Sequence, residues 1–394
     1  MVKNNWKRKE LLNGAIVVNS LMKGKNIPSL NIWFKYGLYH SIPKSLVHLI
    51  EHCSFYTSST KNKTKGYILN GLVFPEATCF YARAFNDNLF EAFKDLINIA
   101  YKSPNISQKQ LEIEKRIIKN EIRRKSVFII YSLLINLLYP EINLNFVSGL
   151  DEITLEEVMQ IKSKFFVPQN SIIEIIGNLD SKCFEKICSR IENIHVEGVN
   201  TNFPTYKHRS NVMWKKIKSD NMNLLGFIFP LPGYTYKNLI IATIIDYIFA
   251  KLENSKLRNL IREKQNFTYH INTDIVINKN FGYYIGFMKL QNSLIVEKAS
   301  DLINKSLDSL ILDFIDNKTF QKIKNRLKLF YMILLENIGK FSSRSGFNLL
   351  YMNEPLDIQK IIKILETISI YDIYDFVYKY FRNNLKGIYI IDKT

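Results

Sequence analysis

Short apolar stretches separated by polar turns alternate with longer amphipathic stretches along the whole chain. Residues 11–18 and 29–36 are rich in Ile, Val, Leu and aromatic residues and are bounded by Gly, Asn or Pro, which predicts two β-strands. Residues 72–85 predict a further strand, or two strands interrupted at Pro75. Strands that alternate with helical patterns in this way indicate α+β domains.

Helical periodicity is clear in the first half of the chain. Apolar residues recur with a helical period over residues 88–101. Ser107 and Gln110 have the spacing of a capping box, which predicts that a helix begins there and covers residues 108–125. Residues 127–138 are strongly apolar but too short to span a bilayer, so they predict a buried helix.

The second half of the chain repeats the pattern of the first. Residues 153–176 align without gaps on residues 368–391, and both copies predict a capped helix, an aromatic pair, a polar turn and a strand. Residues 32–55 align in the same way on residues 226–249. The sequence therefore predicts two homologous α/β-sandwich domains, each with an antiparallel-rich sheet and helices packed on it.

The boundary between these domains is predicted in a polar segment. Residues 200–209 are polar and contain Pro204, which is typical of a linker. We therefore expect an N-terminal domain over residues 1–200 and a C-terminal domain over residues 201–394.

Composition narrows the class of protein. The chain has 394 residues, of which 47% are hydrophobic, and a formal net charge of +18. This length and hydrophobic content are typical of a globular protein with about two domains. The basic residues are scattered and match no nucleic-acid motif, so we expect a solvated positive surface and no nucleic-acid partner. The four cysteines form no Cys-x-x-Cys pair, and no secretory or membrane-spanning segment is recognised, so we expect a cytoplasmic protein.

Residues with metal chemistry concentrate in residues 45–55, SLVHLIEHCSF. On a helix, His48 and His52 share one face, and Glu51 can point into the same space. Two imidazoles with this spacing can bind a divalent metal, and an adjacent carboxylate can act as a base on water. The order His-x-x-Glu-His is an inverted form of a zinc peptidase motif, although a stray histidine pair on a buried helix is the alternative.

The predicted helix over residues 108–125 offers a third ligand. Glu114 and Glu121 are seven positions apart and therefore lie on one face. Either carboxylate can complete a metal site, with the other one holding a histidine. The alternative is a solvated charged face, because Glu112 and several Lys and Arg residues share the helix.

With these motifs and the duplication, the chain resembles the pitrilysin/insulinase family of zinc metallopeptidases over nearly its whole length. It is most similar to short two-domain members akin to processing peptidases. The resemblance implies that His48, His52 and Glu121 bind one zinc ion per chain. It also implies that Glu51 is the general base and that Glu114 supports the ligands. In the second copy, Ala242, Ile245 and Asp246 take the motif positions, so we expect one metal site.

A second match to the family lies in the segment LIREKQNFTY, where Arg262 and Tyr269 are seven positions apart. In the family an Arg and a Tyr at this spacing reach substrate at the zinc, and two chains enclose a chamber. The resemblance therefore implies a homodimer or heterodimer in which this pair serves the zinc of the other chain. Both side chains can hydrogen-bond a carbonyl oxygen that gains charge. A surface Arg and a strand Tyr are the alternative.

One departure from the family bears on substrate binding. After Gly71 the family usually has an Asn-Ala-containing strand, whereas this chain reaches Pro75 and Glu76-Ala-Thr78 quickly. We therefore expect a shortened edge strand for pairing with substrate. The function predicted is a zinc endopeptidase for short or unfolded peptides, with leader removal from a small ribosomally made peptide as a specific role. The alternative is a non-catalytic, peptide-binding partner subunit of an active homologue.

Overall fold

Two β-sheets, each covered by helices, organise the chain in this computed structural model. The structure describes residues 6–22, 27–57, 66–124, 127–145, 148–211, 213–219, 223–312, 315–382 and 385–392. The strands of these residues are β1 (Trp6–Glu10), β2 (Ile16–Ser20), β3 (Ser29–Phe34), β4 (Tyr67–Val73), β5 (Thr78–Ala84), β6 (Ser171–Ile176), β7 (Met213–Ser219), β8 (Leu224–Pro232), β9 (Ile271–Ile277), β10 (Phe281–Lys289) and β11 (Lys386–Asp392). The α-helices are α1 (Ser45–Ser54), α2 (Leu89–Tyr101), α3 (Gln108–Arg124), α4 (Val127–Leu138), α5 (Leu155–Phe165), α6 (Ser181–Glu192), α7 (Tyr236–Asp246), α8 (Lys256–Arg258), α9 (Val296–Leu312), α10 (Asn317–Leu334), α11 (Ile338–Met352), α12 (Ile358–Thr367) and α13 (Ile370–Tyr380).

The two sheets share one internal topology. Sheet 1 has the strand order β1-β2-β6-β3-β5-β4, and sheet 2 has the order β7-β11-β8-β10-β9. In each sheet one parallel pair, β2 with β6 or β7 with β11, is followed by three antiparallel strands. The strands correspond one to one once β1 is set aside. The prediction of two homologous α+β domains is confirmed.

The repeated helix and strand also agree in detail. Thr154 caps α5 by accepting a hydrogen bond from the Glu157 backbone N–H at 3.1 Å. Ser369 caps α13 by accepting the equivalent hydrogen bond from Asp372 at 3.3 Å. Both caps are complete capping boxes, which satisfy backbone donors that the first turn of a helix leaves free. The sequence pattern that indicates the repeat therefore corresponds to the same capping hydrogen bonds in α5 and α13.

The chain divides into two units, and each unit contains a helix from the other half of the sequence. Unit 1 consists of Met1–Arg124, Asn145–Pro204 and Ile333–Asp357, and unit 2 consists of Lys125–Leu144, Thr205–Met332 and Ile358–Thr394. Within unit 1, α11 packs on β3 and β6, and within unit 2, α4 packs on β8, β10 and β11. The units thus differ from the contiguous domains 1–200 and 201–394, whose separate roles stay a prediction.

The apolar character of α4 explains its place in unit 2. Ile130 and Leu134 are fully buried, which agrees with the buried helix that the sequence predicts. Removing such side chains from water stabilises the fold by about 1.5–3 kcal/mol each. No helix in the described part of the chain is both long and apolar enough to cross a membrane.

Two predicted strands differ from the structure in their bounds. The strand predicted over residues 11–18 is confirmed only from Ile16 onward, where β2 begins. Residues 11–15 form the tight turn of a hairpin between β1 and β2. Gly14 has a φ of +82° in this turn, a conformation that favours glycine, and Leu11 N–H donates to Ala15 O at 2.9 Å. For residues 72–85 the two-strand alternative applies, since β4 ends at Val73 and β5 begins at Thr78.

Candidate metal centre

Helix α1 carries three ionisable side chains at the edge of an otherwise apolar surface. Leu49 and Ile50 are fully buried in the core of unit 1, which fixes the orientation of the helix. His48 and His52 stand on successive turns, with ring centroids 4.8 Å apart. The Ser41 hydroxyl accepts a hydrogen bond from the Val47 backbone N–H at 3.2 Å, which stabilises the first turn of α1.

Helix α3 lies against α1 and brings Glu121 to the two imidazoles. One ligand atom from each of His48, His52 and Glu121 lies within 4.8 Å of the other two. His48 Nε2 and Glu121 Oε2 are 3.7 Å apart. Ligands bound to one tetrahedral zinc at about 2.1 Å lie roughly 3.4 Å from each other, so modest side-chain rotations can complete the set. His48 and Glu121 are partly exposed, which leaves solvent access.

Glu114 contacts a histidine rather than joining these three groups. Its Oε2 lies 2.9 Å from His52 Nδ1, and its Oε1 accepts a hydrogen bond from the Tyr56 hydroxyl at 2.6 Å. The hydrogen bond from Tyr56 to the Glu114 carboxylate raises the pKa of Tyr56 to about 12, so Tyr56 keeps its proton. A carboxylate on Nδ1 favours the tautomer whose Nε2 lone pair is free for a metal.

Glu51 is a buried acid of the cluster, with 8% of its surface exposed, as is Glu114. Its Oε2 lies 3.8 Å from His52 Nε2. Burial raises the pKa of Glu51 to about 7, and the negative charges of Glu121 and Glu114 act in the same direction. A carboxyl group with a pKa near neutrality is suited to accepting and returning a proton.

Gly71 on β4 makes room for this carboxylate. A Cβ atom at Gly71 would lie 2.1 Å from Glu51 Oε1, far inside van der Waals contact. In the sequence, Gly71 marks only the point at which the chain departs from the family pattern. The contact joins two elements that are distant along the chain, so no local pattern indicates it.

Strand β4 forms the edge of sheet 1. It has seven residues and pairs with β5 alone among the described strands. Residues 67–70, which precede Gly71, belong to this strand. The expectation that the strand is shorter than in the family stays a prediction. Ile68 and Leu72 point outward, with 59% and 39% of their surfaces exposed.

Lys162 supports the end of α1 from within the core. Its Nζ donates to Ser54 Oγ at 2.6 Å and to the Ile99 carbonyl at 2.8 Å. Burial lowers the pKa of Lys162 to about 7. The burial of Lys162 was not predicted, because a lysine on an amphipathic helix is expected on the solvated face.

The pair Arg262 and Tyr269 lies within unit 2. The Arg262 guanidinium carbon lies 4.9 Å from the centroid of the Tyr269 ring, and the phenol is 72% exposed. Arg262 lies in the helical turn Asn259–Glu263, and Tyr269 precedes β9. The two side chains are therefore neighbours, whereas their service to the zinc of another chain stays a prediction.

Comparisons with known proteins find one matching family model and several similar chains. Residues 152–327 match the family model described as the Peptidase M16 inactive domain. An uncharacterized zinc protease of Bacillus subtilis, YmxG, is 21% identical over 386 residues, which cover 92% of this chain and 93% of the relative. An uncharacterized zinc protease of Rickettsia bellii is 19% identical and covers 94% of both chains.

Solved structures share the fold. A protease from Helicobacter pylori superposes with a TM-score of 0.87 at 15% identity, over 98% of this chain and 99% of the other. A peptidase M16 inactive domain from Pseudomonas fluorescens has a TM-score of 0.85 at 13% identity, over 99% of both chains. The matches show a two-domain α+β fold of this type.

Proposed function

We propose that this chain is a zinc-dependent endopeptidase of the M16 type, with one ion per chain. The observation that carries the proposal is the convergence of His48, His52 and Glu121, with Glu51 beside them. Two imidazoles and a carboxylate are a ligand set that catalytic zinc uses, and the partly exposed side leaves a position for substrate. The Glu114 carboxylate holds the His52 imidazole through a hydrogen bond at Nδ1.

Each group has a role in peptide hydrolysis. When bound, zinc supplies Lewis-acid chemistry, which polarises the scissile carbonyl and makes water more acidic. Glu51 accepts a proton from the attacking water and delivers it to the leaving amine. Arg262 and Tyr269 of a partner chain hydrogen-bond the oxyanion, which makes the active form a dimer.

The substrate is a short or unfolded peptide in an extended conformation. Strand β4 lies at the edge of sheet 1 beside Glu51 and pairs with β5 alone among the strands that the structure describes. A peptide that adds to this edge places its carbonyls along the site. The exposed side chains of Ile68 and Leu72 contact alternate residues of such a peptide. Leader removal from a small ribosomally made peptide is the specific role that we propose, in the cytoplasm.

Mass spectrometry of a candidate precursor incubated with zinc-loaded wild type and with Glu51→Gln tests the mechanism. We expect the substitution to slow cleavage by about 10²–10⁴-fold, because the general base is lost. The matched control is Glu112→Gln, an exposed carboxylate on α3 outside the cluster. Equal cleavage by wild type and Glu51→Gln contradicts the mechanism.

The second candidate function is that of a non-catalytic partner subunit. It is favoured by the family model of an inactive domain, which matches residues 152–327 and includes none of the three proposed ligands. Metal analysis separates the candidates, since an endopeptidase binds one zinc ion per chain. A purified chain that cannot be loaded with zinc favours the partner subunit.

A further inference from the structure

A groove between α2 and α6 lies in unit 1, and none of its lining residues belongs to the candidate metal centre. Its volume is about 1020 Å³. The side chains that matter for its chemistry are Phe90, Ile97, Lys102, Lys182, Lys186 and Arg190. The groove therefore combines an apolar floor with a basic wall.

The basic wall is a stripe of cations along α6. Lys182, Lys186 and Arg190 follow each other at four-residue intervals and are exposed, so their charges recur about every 6 Å along one face. Lys102 adds a cation just after the last turn of α2. These four side chains form no ion pair with a carboxylate of the described residues.

The acid in the groove does not neutralise this stripe. Glu185 lies on the same helix, but its carboxylate pairs with Lys9 Nζ at 2.8 Å. The positive charge of the wall therefore faces open space rather than a neighbouring acid. An anionic partner can approach it without displacing an ion pair within the protein.

The apolar floor restricts the kind of anion. Ile97 is buried at the base of the groove, and Phe90 is partly exposed beside it. Lys94 Nζ lies 4.9 Å from the centroid of the Phe90 ring, which holds that ring in place. A ligand that uses the whole groove needs apolar side chains as well as negative charges, which a phosphate backbone does not provide.

We propose that this groove is a docking site for an acidic peptide segment that also carries apolar side chains. Carboxylates on alternate residues of an extended peptide are about 6.8 Å apart, which matches the spacing of the cations on α6. The apolar residues between them face Phe90 and Ile97. The inference does not depend on the metal centre and holds for an enzyme or for a partner subunit.

Fluorescence anisotropy tests this docking site with a labelled 12-residue peptide of alternating Glu and Leu. The groove variant is Lys182→Gln/Lys186→Gln/Arg190→Gln. The matched control is Lys318→Gln/Lys322→Gln/Lys363→Gln, which removes the same charge from three exposed lysines of unit 2. Circular dichroism checks that both variants fold, and a peptide with Gln in place of Glu tests the need for charge.

We expect saturable binding of the Glu-Leu peptide that weakens about tenfold or more in the groove variant and about twofold or less in the control. Binding should also weaken as salt increases and with the Gln-Leu peptide. Equal loss in both variants, or an absence of saturable binding at low salt, overturns the proposal. Tighter groove-dependent binding of a labelled 12-nucleotide RNA also overturns it and assigns the groove to nucleic acid.

Discussion

Glu114 and Glu121 occupy equivalent positions on one helix face, yet their carboxylates have different surroundings. Glu121 lies beside His48 with an open side, whereas Glu114 is held between His52 and Tyr56. Helical periodicity shows that the two acids share a face, but it cannot show which acid meets which histidine. Tyr56 lies beyond the end of α1 at Ser54, so no helical spacing relates it to His52.

Replacement of Glu114 tests the support that it gives to His52. We expect Glu114→Gln to weaken zinc binding by about 10–100-fold, because a neutral amide holds the imidazole less firmly and lowers its basicity. Competition with a chromogenic chelator measures the affinity. Glu112→Gln, on the same helix, should bind zinc as wild type does. An unchanged affinity in Glu114→Gln means that Glu114 does not serve the metal centre.

At the scale of elements, the helices of the site were easier to predict than its strands. The predicted ranges 45–55 and 108–125 agree with α1 and α3 to within a residue or so, because helical periodicity and caps are local signals. The start of β4 at Tyr67 and its contact with Glu51 were not predicted. Both depend on pairing between distant segments, which a single sequence does not encode as a pattern.

The packing of β4 on α1 makes Gly71 a positioning residue for Glu51. We expect Gly71→Val to reduce kcat by about a hundredfold while zinc content stays at one ion per chain, because the new side chain displaces the carboxylate by an ångström or more. Steady-state kinetics and metal analysis measure the two quantities. The control is Ile129→Val, an exposed position on α4 that is not part of the candidate metal centre. A fully active Gly71→Val enzyme shows that Glu51 does not need this space.

For the whole molecule, the internal duplication could be predicted from the sequence. The assignment of α4 and α11 to the unit formed mainly by the other half of the chain could not. Matching caps and matching strands gave the repeat directly. The assignment of α4 to unit 2 and of α11 to unit 1 depends on which sheet face each helix covers. In unit 1, α11 contacts the sheet through polar as well as apolar side chains. The Ser345 hydroxyl on α11 donates a short hydrogen bond to the buried carboxyl group of Glu174 on β6.

This buried carboxyl group should make stability depend on pH. Burial raises the pKa of Glu174 to about 8, above the usual 4.5 of a glutamate, so the folded state binds the proton more tightly than the unfolded state does. Stability should therefore fall as pH rises from about 4.5 through 8, by a total on the order of 5 kcal/mol. Glu174→Gln should remove most of this loss.

Denaturant unfolding at pH 6 and pH 9 measures the effect. The exposed Glu156→Gln serves as the control and should follow wild type at both pH values. If Glu174→Gln and wild type lose the same stability between these pH values, the Glu174 carboxyl is not the group that titrates.

The central claim is that side chains from α1 and α3 bind one metal ion with Glu51 beside it. Anomalous diffraction at the zinc absorption edge, from crystals grown with zinc, tests it directly. The account predicts one strong peak per chain at about 2.0–2.2 Å from a nitrogen of His48, a nitrogen of His52 and an oxygen of Glu121. A zinc-loaded crystal with no peak at this position, or with a peak that Glu121 does not contact, contradicts the account.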